Sequence, residues 1–149
     1  MKKEGYLKEW FLRYVKNRDI FFKKIKNIEE IEDKIIIEEK TKKIIYYVNS
    51  DDKTFSEILT DTNDYENKGL LLYNTEKNFN NLFKEWKKLI NISDITIFFI
   101  NPFSKTEQKW IIHPNMHHKI SDEKSLKSGL KTLFDTVELL TEKEIKKLN

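Results

Sequence analysis

His113, His117 and His118 are the only histidines in the chain, and all three fall inside the stretch KWIIHPNMHHKIS. Imidazole binds zinc and titrates near neutral pH. A zinc site needs three or four converging lone pairs, and a catalytic one keeps a position open. On a helix, His113 and His117 would share a face. Pro114 argues against that, because proline pushes its predecessor out of the helical region. The spacing therefore predicts His113 at the end of a strand, with His117 and His118 in the adjoining loop. Adjacent histidines diverge, so convergence would need a carboxylate such as Asp122. The expectation is a polar loop and no bound metal.

Other chemistries have fewer candidates. The chain has no cysteine, which excludes disulfides, cysteine nucleophiles and thiolate metal sites. It contains no GxGxxG, P-loop, G-x-S-x-G or HExxH pattern. Trp10 and Trp86 sit on apolar helix stripes and Trp110 on a strand, which reads as core.

Of 28 basic residues only Arg13 and Arg18 are arginines, and alanine is absent. Lysine, isoleucine and asparagine abound, as an AT-rich genome produces. Lysine is a point charge where arginine is a bidentate fork, so planar recognition of phosphate has few candidates here. Residues 1–48 carry 13 basic and 9 acidic side chains, residues 49–75 carry 2 and 6, and residues 76–149 carry 13 and 10. The two basic segments could form one face toward nucleic acid, with Lys105, Lys109 and Lys119 around the stretch NPFSKTEQKW, beside the histidines, although so modest a net charge favours the ordinary surface. The bland alternative is a solvated surface of mixed sign.

The elements that must position these groups can be read from hydrophobic periodicity. Leu7, Trp10, Phe11, Tyr14 and Val15 predict a helix over 5–16. Ile35–Ile37 and Ile44–Val48 are β-branched runs joined by a polar stretch, a hairpin. Residues 20–25 fit a strand or a longer helix. The acidic insertion 49–68 is expected to be largely mobile, with a short helix at Phe55, Ile58 and Leu59. Leu70–Tyr73 and Ile95–Ile100 are strands buried on both faces. Between them Thr75 caps a helix whose stripe runs Phe79, Leu82, Phe83, Trp86, Leu89 and Ile90. That is a βαβ unit, which requires parallel strands. Trp110–Ile112 is a further strand. Ser121 opens a helix with Leu126, Leu130, Leu133, Phe134 and Val137 on its buried face, and Gly129 is explained by close contact with the sheet. Thr141-Glu-Lys-Glu144 is a capping box. The sum is one α/β domain over 1–149, a mixed sheet of about five strands flanked by helices.

The order helix, strands, helix, strand over residues 5–113 resembles the αβββαβ core of restriction-endonuclease-like proteins. That family holds a divalent metal with an acidic residue near the second core strand and (D/E)-x-K on the third. With the third strand placed on GLLLYN, the motif is missing. The match near the strands is Glu38-Glu39-Lys40, with Asp33 or Asp19 as its partner and magnesium as its cofactor. The resemblance with its motif displaced implies a non-catalytic binding domain associated with nucleic acid, needing no cofactor. Two alternatives stand beside it: a magnesium-dependent nuclease using Asp33, Glu38 and Lys40, and a protein-interaction domain using 49–68. The N-terminus has no apolar stretch behind its lysines and no run reaches about 18 apolar residues, so a cytoplasmic protein away from membranes is expected.

Overall fold

The computed structural model describes residues 2–49, 67–92 and 94–148. The expected helix at Phe55–Leu59 and most of the acidic insertion lie outside the described residues. The insertion's last residues, Asn67 and Lys68, already belong to a strand.

Among the described residues six strands form one sheet in chain order. β1 (Ile25–Ile31), β2 (Lys34–Glu39) and β3 (Lys43–Asn49) make an antiparallel meander. β3, β4 (Asn67–Tyr73) and β5 (Ile95–Ile100) run parallel, and β6 (Lys109–Ile112) returns antiparallel to β5. The strand beyond the expected five is β1. Its sequence, IKNIEEI, is mostly exposed and charged, so it lacks the apolar run that marks the others. Those charges also blunt a free sheet edge.

Helices cover both faces. On one lies α1 (Lys3–Phe22), joined by the short α6 (Glu142–Lys146). Leu7, Phe11, Leu71, Tyr73, Phe98 and Ile145 pack in this layer. On the other lie α2 (Glu76–Lys84), α3 (Trp86–Leu89) and α5 (Leu126–Phe134). There Phe79, Leu82, Trp86 and Leu130 meet Leu70, Leu72 and Phe99. The alternation in Leu70-Leu71-Leu72-Tyr73 thus feeds both cores from one strand, each leucine fully buried. Each such burial contributes about 1.5–3 kcal/mol. Among the described residues no helix is long and apolar enough to cross a membrane.

Local signals explain the helix ends. Thr75 accepts from the Asn78 amide to start α2, and Thr141 with Glu144 completes a capping box at α6. The predicted helix 76–90 breaks at Glu85, yet its stripe keeps Trp86 and Leu89 buried. α1 runs six residues past the predicted end. Its apolar stripe stops at Val15, but no glycine or proline interrupts the chain before Lys23, which takes a left-handed conformation (φ 49°) and stops the helix. Ser121 does not open α5. Asp122 accepts from the Lys124 amide and caps a 3₁₀ turn (Glu123–Ser125) that leads into it. Val137 is buried beyond the end of α5, bridged to Glu107.

Gly129 is not a contact glycine. It lies on the exposed side of α5, and a Cβ there would meet nothing within 4 Å. Its flexibility is therefore uncompensated. Gly129→Ala should stabilise the protein by about 0.5–1 kcal/mol, read as a raised denaturation midpoint at unchanged slope. A lowered midpoint would restore the close-packing explanation.

Candidate functional site

The histidines are where the sequence put them along the chain, but not in the expected conformation. Residues Pro114–Ile120 form a helix, α4, with proline at its first position. His113 is extended (φ −112°, ψ 94°), as a residue before proline must be, and takes the position before the first helical residue without a side-chain cap. The rule holds for His113. It does not reach the residues after Pro114, because proline at the first helical position is favourable. His117 and His118 are therefore helical and not in a loop. They still do not converge. His113 Nδ1 lies 3.2 Å from Thr96 Oγ1, and the His117 ring meets Trp86 edge-on at 5.9 Å. His118 lines a separate cavity with Trp86, Ile90 and Leu126. Among the described residues no three His, Asp or Glu side chains are placed to hold a metal.

Lys105, Lys109 and Lys119 do not form one patch. Lys105 is in the β5–β6 loop, where its amide donates to Glu138. Lys109 lies over the Tyr14 ring at 5.4 Å, on the α1 face. Lys119 belongs to α4, whose His117 and Asn115 reach Trp86 and Ile90 on the opposite face.

The alternative metal residues are also separated. Asp33 sits in the β1–β2 turn and Glu38 near the other end of β2, about 16 Å away at the strand rise. Glu38 pairs with Lys43 at 3.6 Å and Lys40 is in an exposed turn. They cannot share one ion with Asp33. The third strand of the sheet is KIIYYVN, not GLLLYN, and it too lacks an acidic residue. Nor is Glu38-Glu39-Lys40 the distinctive match. The pattern (D/E)-x-K occurs eight times in the chain, so it selects nothing without geometry. One occurrence, Asp51-Asp52-Lys53, comes after β3 in sequence and lies outside the described residues.

The residues that do converge come from the end of α1 and the facing ends of β2 and β3. They line a cleft of about 230 Å³. Its cations are Arg18, Lys24 and Lys42, its carboxylates Asp19 and Glu39, and Tyr46 adds a phenol. The Arg18 guanidinium lies 5.4 Å from the centroids of both Tyr14 and Phe22, and donates to the Tyr14 hydroxyl at 3.2 Å. Lys24 covers Phe22 at 5.5 Å. Trp10 stacks on Tyr14 at 5.2 Å. Trp10, Tyr14, Arg18 and Phe22 are thus one stripe at four-residue steps, running from the core to solvent. Asp19 secures the corner: its carboxylate accepts from the amides of Lys24 and Ile25, at 2.7 and 3.0 Å, turning α1 into β1.

Tyr46 has its ring over Gly69, its register partner on β4. A Cβ at position 69 would overlap that ring, so glycine is what admits Tyr46 to the cleft. Burial, reinforced by the charge of Glu39, raises the Tyr46 phenol well above its ordinary value, so it stays protonated as a donor.

The opposite end of the sheet is closed. Asn74, fully buried just past β4, donates to the carbonyl of Val137 at 3.2 Å and accepts from Trp110 Nε1 at 2.8 Å. Asn101, just past β5, donates to Glu138 O at 2.8 Å. The chain after α5 is thereby strapped across the carboxyl ends of β4 and β5, where open α/β sheets usually bind ligands.

The chain matches no family model, no curated protein and no solved structure.

Gly69→Ala should cost about 1–3 kcal/mol by overpacking against Tyr46. The cost should shrink in a Tyr46→Leu background, and additive losses would show that the ring is not the obstacle. His117 gives a pH dependence. Burial lowers its pKa from 6.5, so below that pH the unfolded chain takes a proton the folded one resists. Its contribution is complete above pH 6.5 and is lost as pH falls toward the folded value. The denaturation midpoint should therefore drop between about pH 7 and pH 5, and His117→Gln should flatten that slope.

Proposed function

We propose that this chain is a non-catalytic nucleic-acid-binding domain whose contact surface is the α1–β2–β3 cleft. The observation that supports this reading is the concentration of cations and aromatic rings there. The segments 16–26 and 38–43 that build the cleft carry eight basic and three acidic residues. Taken from totals of 28 and 25, they leave the remainder of the chain slightly acidic. A solvated surface of mixed sign would spread its cations evenly, whereas a polyanion interface gathers them. Arg18, one of two arginines, lines the cleft with its guanidinium held between two rings. Held in this way it loses little freedom on meeting a phosphate. Lys109, above Tyr14, extends the same basic surface.

The expected result is binding of a labelled oligonucleotide, read by fluorescence anisotropy, that weakens steeply with added salt as counterions are released. Arg18→Ala should weaken it roughly tenfold and reduce the salt slope by about one. Lys119→Ala, on the far face, should leave it unchanged. Salt-independent binding, or none, would overturn the proposal.

A second reading, metal-dependent cleavage on a restriction-endonuclease-like scaffold, has one observation in its favour. The Val48 amide donates to the Asp33 carbonyl at 2.8 Å, so Asp33 adjoins the end of the strand after which Asp51-Asp52-Lys53 comes in sequence. Incubating wild type, Asp33→Ala and Glu38→Ala with labelled single- and double-stranded substrates and magnesium separates the readings. No cleavage is expected. Cleavage by wild type that Asp33→Ala abolishes would establish the second reading.

A further inference from the structure

We infer that the cleft takes single-stranded nucleic acid in preference to duplex, with a base stacking on Phe21, the exposed neighbour of the lining residue Phe22. This rests on the nucleic-acid reading and adds the form of the ligand. Ile20, Phe21 and Phe22 end α1 with 66%, 84% and 56% of their surface exposed. Successive helical residues point about 100° apart, so one underlying surface cannot cover all three. The Phe22 ring is already flanked by Arg18 and Lys24, whereas Phe21 stands in water next to them, and such a ring fits an anionic ligand that itself presents flat apolar faces. Single strands do so, because their bases are free to unstack. In a duplex those faces are already occupied.

The cleft agrees in size and chemistry. At about 230 Å³ it is below the usual range for a whole small-molecule ligand and admits one base or one phosphate at a time. Arg18, Lys24 and Lys42 supply phosphate donors. Glu39, also in the lining, supplies an acceptor of the kind that reads an exocyclic amino group. An anionic lipid surface is the competing occupant of a basic, aromatic helix end. It is disfavoured by the concave shape, which a flat sheet of headgroups does not enter.

The test uses the full chain and measures anisotropy with a labelled single strand and with the duplex of the same sequence at one salt concentration. The single strand should bind at least tenfold more tightly. Phe21→Ala should lower single-strand affinity about tenfold and leave duplex affinity and salt slope unchanged, and Phe21→Trp should restore it. Phe21 is exposed, so neither variant threatens the fold. Equal affinity for both forms, unaffected by Phe21→Ala, would overturn this inference and leave the broader proposal standing. Binding to phosphatidylserine vesicles in sedimentation, with no oligonucleotide binding, would overturn both.

Discussion

The side chain on which the arrangement depends is Asn74. An amide buried without partners costs several kcal/mol, so its position is tolerable only if every polar atom is used. Its Nδ2 reaches the carbonyls just past α5, its Oδ1 takes the indole N–H of Trp110, and its backbone oxygen takes the Leu140 amide. One residue thus joins β4, β6 and the link from α5 to α6. Its bonds also decide where a ligand can go. With the carboxyl ends of β4 and β5 strapped over, open concave surface is left at the other rim, beside the end of α1.

How much of the fold was legible depends on what burial writes into a sequence. Leu70–Tyr73 and Ile95–Ile100 are apolar on both faces because helices cover both faces, and no other pattern satisfies that. Thr75 and Thr141 announced helix starts because a hydroxyl or carboxylate must meet the free amides there. β1 gave no such signal, being an edge strand with charges on it. Residues 20–25 fit a strand or a longer helix for the same reason: the last turn of α1 is exposed, so periodicity stops at Val15 while the helix runs to Phe22 and β1 starts at Ile25.

The cleft was harder still to read. Its residues are exposed, come from α1, the turn into β1 and the β2–β3 hairpin, and share no period. Two signals were present all the same. Arginine is scarce in this chain, and Arg18 continues the four-residue spacing of Trp10 and Tyr14 to Phe22. The histidines are rare too, but rarity without convergence carries no chemistry. They divide among a Thr96 contact, a Trp86 packing partner and a separate cavity.

The dependence of Tyr46 on Gly69 has a bearing on how the molecule assembles. β1, β2 and β3 are neighbours in sequence, and the α1 corner adjoins them, so they associate by closing loops of a few residues at low entropic cost. The β3–β4 pairing must first close the longer segment between Asn49 and Asn67. The walls of the cleft are therefore local structure and its floor is not. During folding the cationic rim forms among early, low-contact-order pairings, and the Tyr46 ring is pinned only when the parallel half of the sheet docks. In the native state the order reverses: a fluctuation that separates β3 from β4 frees the floor while leaving the rim intact. Amide protection of Tyr47 and Leu71, whose N–H groups face across the β3–β4 pairing, would then be shared, and distinct from that of the β1–β2 hairpin.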